Sequence, residues 1–284
     1  MKPHAFEYQH AKSLDEALEL LAARKGEARP IAGGQSLVPV MNMRLARPEA
    51  LVDIGGLDAL RGIAVEKGQL RLGALTLHRE LLESPLVAEH APLLARAAPY
   101  IGHEAIRNRG TLGGSLAHAD PAAELPACVL ALDARIVTAS KRGRRTIGAD
   151  QFFRGPYTTA LEPDELVVAV ELPRAPAGRR VAFHELARRA GDFAMAGGVA
   201  LARRDGAALR DVRLVFFGVG NRPVLARGAA AAVEGRAPSP EAVGAAQRAL
   251  TSDVEPQPDL HNSAAMKAHL LGVVLGRLLQ ELAA

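Results

Sequence analysis

The sequence predicts an α+β protein of two domains, on three observations. The chain has 284 residues, and a domain usually takes roughly 100–200 residues. Segments with helical and strand periodicity follow one another without regular βαβ alternation, which favours α+β over a doubly wound parallel sheet. After Pro173, Pro176 and Gly178 the pattern changes to long antiparallel strands. We therefore predict one domain over residues 1–176 and a second over residues 177–284.

Capping signals and apolar spacing predict the elements of the first domain. Ser13 and Glu16 have the spacing of a capping box, in which the hydroxyl accepts the Glu16 amide and the carboxylate returns to the Ser13 amide. Ser84-Pro85 and Asp120-Pro121 each begin a predicted helix, because proline at the first helical position loses no hydrogen bond. These rules predict helices over residues 14–26, 85–94 and 121–132, and strands over residues 29–32, 50–54, 62–66, 69–75, 135–139 and 165–171.

Three long strands and two helices are predicted for the second domain. The strands cover residues 181–188, 193–203 and 209–219, and Asp205-Gly206 joins the last two. Helices are predicted over residues 240–250 and 262–282. The second of these contains the most apolar stretch of the chain, but polar and charged residues interrupt it, and its apolar residues recur at helical spacing. It is therefore expected to pack on the domain as an amphipathic helix, not to span a membrane.

Composition excludes several classes of function. The net charge is only +4, aromatic residues make up 4% and there is no Trp, which argues against a nucleic-acid platform. The N-terminus has no apolar segment behind its positive charge, so no secretory signal is expected and the cytoplasm is the default location. One cysteine, Cys128, cannot form an internal disulfide or hold an iron–sulfur cluster. Its apolar neighbours predict a buried thiol, so redox chemistry would need a borrowed cofactor.

Two glycine pairs carry the functional signal. The first, AGGQS at residues 32–36, follows a predicted strand, and the second lies within RNRGTLGGS at residues 107–115. Glycines let consecutive backbone amides face an anion, and nearby hydroxyls and Gln35 add donors, so each loop resembles a phosphate nest. Neither loop has the G-x-G-x-x-G fingerprint or the Gly-Lys-Ser/Thr of a P-loop. Two such loops can hold one pyrophosphate from opposite sides.

Other polar residues near the second pair have competing interpretations. Arg107 and Arg109 can neutralise a phosphate, contact a partner subunit or form ion pairs. His78 and His103 are expected to be surface or capping groups. No metal site is expected from His118, Asp120 and Glu124, since Asp120 is better placed as a helix cap.

Three longer motifs extend the signal of the glycine pairs. They are AGGQSLVP at residues 32–39 with RLARP at 44–48, IRNRGTLGGSLAHADP at residues 106–121, and AGDFA at residues 190–194. Together they resemble the FAD-binding medium subunits of molybdenum hydroxylases, the family of carbon monoxide dehydrogenase and xanthine dehydrogenase relatives. The resemblance covers essentially the whole chain. It implies a two-part FAD-binding domain of the vanillyl-alcohol-oxidase type, followed by a smaller domain with a three-stranded antiparallel sheet and helices.

The resemblance also implies where non-covalent FAD would bind. Residues 32–36 and 111–115 would grip the pyrophosphate, Glu124 would reach the ribityl chain or nearby hydroxyls, and Ile101-Gly102 with Asp192-Phe193 would lie near the isoalloxazine. No residue is assigned as a general acid or base for the substrate. The expected cofactor-binding residues are Ala32, Gly33, Gly34, Gln35, Ser36, Leu37, Ile101, Gly102, Thr111, Gly113, Gly114, Ser115, Ala117, Glu124, Asp192 and Phe193.

By the same resemblance, the partners are a large molybdopterin subunit and a small subunit with [2Fe-2S] clusters, assembled as a dimer of heterotrimers. The flavin would take electrons from the clusters and pass them to NAD, a quinone or a cytochrome. Such a complex would be cytoplasmic or held peripherally at the inner membrane. Two alternatives are a self-sufficient FAD oxidase of the same fold and a flavin-free assembly module.

Overall fold

A computed structural model describes residues 2–284, so Met1 of the predicted first domain lies outside the described residues. The helices are α1 Leu14–Ala23, α2 Leu37–Asn42, α3 His78–Glu83, α4 Pro85–His90, α5 Pro92–Ala97, α6 Glu104–Arg107, α7 Leu112–His118, α8 Glu124–Ala131, α9 Ala149–Phe152, α10 Arg227–Val233, α11 Pro240–Asp253 and α12 Ala264–Ala283. The strands are β1 Glu7–His10, β2 Ala28–Ile31, β3 Ala50–Asp53, β4 Ile63–Glu66, β5 Gln69–Gly73, β6 Arg135–Ser140, β7 Gly143–Gly148, β8 Phe153–Gly155, β9 Thr158–Thr159, β10 Leu166–Leu172, β11 Arg179–Leu186, β12 Ala196–Asp205, β13 Ala208–Phe217 and β14 Val224–Leu225.

A small parallel sheet begins the fold, with strand order β1-β3-β2. Helix α1 buries Ala17, Leu18 and Leu21 in the apolar cluster that this sheet shares. Ser13 caps α1 as predicted, since its hydroxyl accepts the Glu16 amide at 3.1 Å. The other half of the capping box is wrong, because the Glu16 carboxylate accepts the Lys12 amide. Strands β2 and β3 are parallel and adjacent, so they end at the same edge of the sheet. The segments that follow them therefore lie side by side.

A five-stranded antiparallel sheet follows, in the order β4-β5-β10-β6-β7. Two helix predictions in this part are corrected. The helix that begins at Pro85 ends at His90 because Pro92 disfavours helical backbone at Ala91, and α5 is a separate helix. Asp120 caps a turn, not a helix: its Oδ1 accepts the Ala122 amide at 2.9 Å, and α8 begins four residues later at Glu124.

The C-terminal sheet has three long antiparallel strands, β11, β12 and β13, with the two-residue β14 at its edge. One face, which includes Phe216, packs against α10 and α12, and α11 packs on these two helices. The opposite face carries Phe183 and Phe217 into the same core as the helices of the N-terminal region. This shared core joins the two regions, and the α+β prediction is confirmed. Helix α10 had no clear signal in the sequence.

Two charged or reactive residues inside the apolar cores have simple explanations. Cys128 on α8 is fully buried, as predicted, and burial raises the pKa of its thiol, so it is not a thiolate nucleophile. Lys267 on α12 is also buried, and its Nζ lies 3.0 Å from the Gly218 oxygen and 2.8 Å from Asp259. Within residues 2–284, none of the helices combines the length and the apolar character needed to cross a bilayer.

Candidate functional site

The first glycine pair lies where it was expected, between strand β2 and helix α2. It forms one wall of a cavity of about 370 Å³. Gly34 has a φ of +70°, a left-handed conformation that favours glycine. The Gln35 Nε2 donates to the Gly33 oxygen at 2.9 Å and so braces the loop internally.

Five consecutive amides in this first loop have no partner. Within residues 2–284, the N–H groups of residues 33–37 donate to no acceptor, whereas the Val38 amide bonds to the Gly34 oxygen. Buried or half-buried amides normally find a partner, so a run of free donors beside a cavity is suited to an anion with several oxygens.

Gly33 is required for a reason that the sequence did not reveal. A Cβ at this position would lie 1.9 Å from the carbonyl oxygen of Arg109 and 2.6 Å from its carbonyl carbon. The first loop therefore rests directly on the backbone of the second. Contact between two parts of the protein, not only room for an anion, excludes a side chain here.

The second loop is built differently from the first. The amides of Leu112 and Gly113 donate to the oxygens of Thr76 and Ala74, both at 2.8 Å. Thr111 accepts hydrogen bonds from the next two amides. Its hydroxyl accepts the Gly114 amide at 3.1 Å, and its carbonyl accepts the Ser115 amide at 3.0 Å. The expectation that this loop offers backbone amides is thus corrected for residues 112–115. What it can offer a ligand is the half-buried Ser115 side chain and the exposed surface of Gly114.

His78 is hydrogen-bonded to the second loop. The prediction that it lies at the surface or caps a helix is wrong. Its side chain is buried, its Nε2 lies 3.0 Å from the Thr111 oxygen, and its amide donates to the Gly110 oxygen. Burial, together with the nearby positive charge of Arg107, lowers the pKa of His78 to about 4. The neutral ring therefore donates from Nε2 and leaves Nδ1 without a partner among the described residues.

Tyr8 and Asp53 also line the cavity, and sequence reasoning missed both. The Tyr8 hydroxyl donates to Asp53, whose other oxygen accepts the Gly55 amide at 2.8 Å. Burial alone would raise the pKa of Asp53, but hydrogen bonds from Tyr8, Gly55 and His10 lower it, so this wall is anionic. The two residues are 45 positions apart, and only the pairing of β1 with β3 brings them together.

The residues expected near the isoalloxazine form a second group. Ile101 and Gly102 follow α5 in a turn, and Asp192 and Phe193 lie in the turn between β11 and β12. The two turns touch, because a Cβ on Gly191 would lie 3.0 Å from the Gly102 oxygen. Strand β12 begins at Ala196, later than predicted, so Phe193 stands in a turn with 68% of its surface exposed.

Comparison with known proteins now assigns the family. The sequence family described as the FAD binding domain in molybdopterin dehydrogenase matches residues 4–175. The family described as the CO dehydrogenase flavoprotein C-terminal domain matches residues 181–282. The chain belongs to this flavoprotein family. It is an oxidoreductase component, and FAD is its cofactor.

Relatives match along almost the whole chain. The carbon monoxide dehydrogenase medium chain of Hydrogenophaga pseudoflava is 38% identical over 279 residues, which cover 98% of this chain and 97% of the relative. The 6-hydroxypseudooxynicotine dehydrogenase complex subunit alpha of Paenarthrobacter nicotinovorans is 39% identical, covering 98% and 95%.

Solved structures agree with this family fold. A carbon monoxide dehydrogenase from Hydrogenophaga pseudoflava matches with a TM-score of 0.96 at 40% identity, covering 99% of this chain and 98% of the other. Quinoline 2-oxidoreductase from Pseudomonas putida 86 matches with a TM-score of 0.95 at 36% identity, covering 100% and 98%.

The residues of the flavoprotein fit its cofactor. FAD contains a diphosphate, and the free amides of residues 33–37 provide the neutral donors that bind such a group without an added charge. Arg109 lines the same cavity, and it is an exposed residue whose positive charge can neutralise a phosphate. Arg107 instead uses its Nη1 to bond to the backbone carbonyl of Gly102.

Glu124 lies at the start of α8 and shares its buried surroundings with Glu185 on β11. Burial raises the pKa of Glu124 to about 7, with a smaller contribution from Asp120. Burial and the charge of Glu124 raise the pKa of Glu185 to about 8, and the Glu185 Oε2 has no partner in the part of the chain described. Near neutral pH the two carboxyl groups therefore tend to retain protons.

This pair predicts a pH-dependent effect of Glu185→Gln on stability. A carboxyl whose pKa is raised by folding binds more protons in the folded chain between pH 4.5 and 8, so its contribution to stability falls as pH rises through that window. The variant should therefore gain stability relative to the wild type from pH 5 to pH 8. Urea unfolding of the FAD-free chain measures this, with Glu66→Gln at an exposed position as the control. A difference independent of pH would contradict the raised pKa.

Proposed function

We propose that the chain is the FAD-binding medium subunit of a heterotrimeric molybdenum hydroxylase. In this proposal a large molybdopterin subunit oxidises the substrate, and a small subunit carries [2Fe-2S] clusters. The flavin on this chain receives the electrons and passes them to an external acceptor. Relatives that carry the names of medium chains or subunits match along nearly its full length, which supports this role.

The row of free amides beside the cavity is the observation that carries the cofactor part of the proposal. We propose that residues 1–176 bind FAD and residues 177–284 cover it. The amides of residues 33–37 would bind the pyrophosphate, with Ser115 and the exposed backbone of Gly114 on its other side. When bound, FAD supplies the redox chemistry, while the protein binds and orients it.

Two further groups of residues would orient the rest of the cofactor. Glu124, buried and tending to stay protonated, can donate to or accept from a ribityl hydroxyl. Ile101 and Gly102 on one side and Asp192 and Phe193 on the other would border the isoalloxazine. The exposed Phe193 ring offers an apolar surface without the hydroxyl that a Tyr would bring.

The chain's single cysteine fits a division of labour. Clusters of the [2Fe-2S] type need several Cys ligands, and this chain has one, which is buried in α8. In the proposed complex the iron therefore lies in another subunit. A self-sufficient oxidase would need its own substrate cavity, and no feature of the described residues favours that alternative.

Gln35→Glu tests the pyrophosphate assignment. The change keeps the size of the side chain but replaces a donor with a negative charge beside the free amides, so it should repel the diphosphate and weaken FAD binding about tenfold or more. The loss should shrink at high salt. Titration of the FAD-free chain measures it, with Gln151→Glu at an exposed position as the matched control. Unchanged affinity in Gln35→Glu would place the pyrophosphate elsewhere.

Isolation from the native cell tests the subunit assignment. The chain should co-purify with two other polypeptides, and elemental analysis of the complex should find molybdenum and iron alongside one FAD per copy of this chain. A preparation of this chain alone that oxidises its substrate at the full rate, without either metal, would overturn the heterotrimer and support the self-sufficient oxidase.

A further inference from the structure

Arg107 makes an unusual set of contacts for an arginine next to a ligand loop. Its Nη1 lies 2.7 Å from the carbonyl oxygen of Gly102 and 3.3 Å from those of Pro99 and Ile101. Among the described residues, its hydrogen bonds all go to backbone carbonyls of one turn, residues 99–102. One nitrogen of the guanidinium, Nη1, makes all of them.

That turn is also the point where the two regions of the chain meet. The Gly102 oxygen, which accepts the shortest of these hydrogen bonds, is the atom that a Cβ on Gly191 would approach to 3.0 Å. Gly102 and Gly191 have φ values of +50° and +84°, so both turns use conformations that favour glycine. A single carbonyl oxygen therefore links Arg107 to the turn that follows β11.

A second contact holds the same turn against the C-terminal sheet. The rings of Tyr100 and Phe183 are 4.8 Å apart at their centroids. Phe193, two residues beyond Gly191, has no comparable support, since 68% of its surface is exposed. Its position depends on the turn at Gly191, and hence on the atom that Arg107 holds.

We propose that Arg107 is a positioning residue: by fixing the Gly102 carbonyl it sets the turn at Gly191 and thereby the place of Phe193 beside the cofactor. This inference rests on the proposed function for its consequence at the flavin. The contact between the two turns is a property of the protein alone and can be tested without FAD.

Hydrogen exchange of the FAD-free chain tests the coupling between the turns. Arg107→Gln removes a charge-assisted hydrogen bond, so the hydrogen-bonded amides of Asp192 and Met195 should exchange about tenfold faster, although Arg107 does not touch them. Arg107→Lys should restore part of the protection, because the ammonium also donates to carbonyl oxygens and the wild-type contacts use a single nitrogen. Arg96→Gln is the matched control: it removes another contact between the regions, from Arg96 to the Val181 oxygen and Glu281.

A second pair of variants tests the contact between Gly191 and the Gly102 oxygen by changing Gly191. Gly191→Ala should speed exchange of the Ile101 amide, which bonds to the Ala98 oxygen, since the added Cβ would press on the neighbouring Gly102 oxygen. Gly206→Ala, which has a similar φ of +60° but no atom within 4 Å, should not. This pair keeps the test decisive if Arg107→Gln fails to fold.

The flavin gives the functional readout. In the FAD-loaded full chain, Arg107→Gln should keep a wild-type FAD content, because residues 33–37 are unchanged, while iodide quenching of flavin fluorescence rises about tenfold. Unchanged exchange at Asp192 and Met195, or an equal increase in Arg96→Gln, would overturn the coupling. Faster exchange with wild-type quenching would overturn the role of Phe193 at the flavin. Failure of the wild-type chain to bind FAD would instead overturn the proposed function and leave the exchange test intact.

Discussion

The contact between Gly33 and the carbonyl of Arg109 fixes how the two glycine loops of the site are placed. There is no room for a Cβ at Gly33, so the first loop, which belongs to the small parallel sheet, closes directly on the second. The cavity between Tyr8, Gly34 and Arg109 exists because these parts meet there. Backbone contacts of this kind do not adjust as side chains do, so the relative position of the two loops is fixed before any ligand binds.

The two loops have different roles, and this contact connects them. The second loop uses its amides to hold itself onto Thr76 and Ala74, with His78 beneath it, and so provides a firm support. The first loop rests on that support and keeps its own amides free. Free donors in a rigid setting need little reorganisation when an anion arrives, which is the physical basis of a preorganised phosphate site.

The fold class and the family could be predicted because they depend on local sequence patterns: the three glycine-containing motifs, the capping residues and the apolar spacing. It failed where the outcome depends on contacts between distant segments. Nothing in the motif distinguishes a loop whose amides are free from one whose amides bond to Thr76, and both glycine pairs look alike in sequence. His78 follows a strand and precedes a helix, and only the burial of that junction makes it a support for Thr111. Tyr8 and Asp53 gave no signal because strand pairing alone joins them.

The shared core between the two regions gives the C-terminal part a role at the site. Phe183 and Phe217 anchor its sheet on the N-terminal helices, and the same strand β11 carries Glu185 toward Glu124 and ends at the turn of Gly191. The residues proposed to bind FAD therefore come from both regions, although the sequence separates them by about seventy positions or more. Under that proposal, a rearrangement of this interface would alter the surroundings of the isoalloxazine without changing the two glycine loops.

The most direct measurement of the central claim is the FAD affinity and unfolding free energy of Gly33→Ala beside Gly155→Ala, whose added Cβ meets no atom within 4 Å. If the two loops are fixed by the Gly33 contact, Gly33→Ala should lose about 1–3 kcal/mol of stability without FAD and at least about tenfold in FAD affinity, while Gly155→Ala changes neither appreciably. Wild-type FAD affinity in Gly33→Ala would contradict the claim that this contact builds the site.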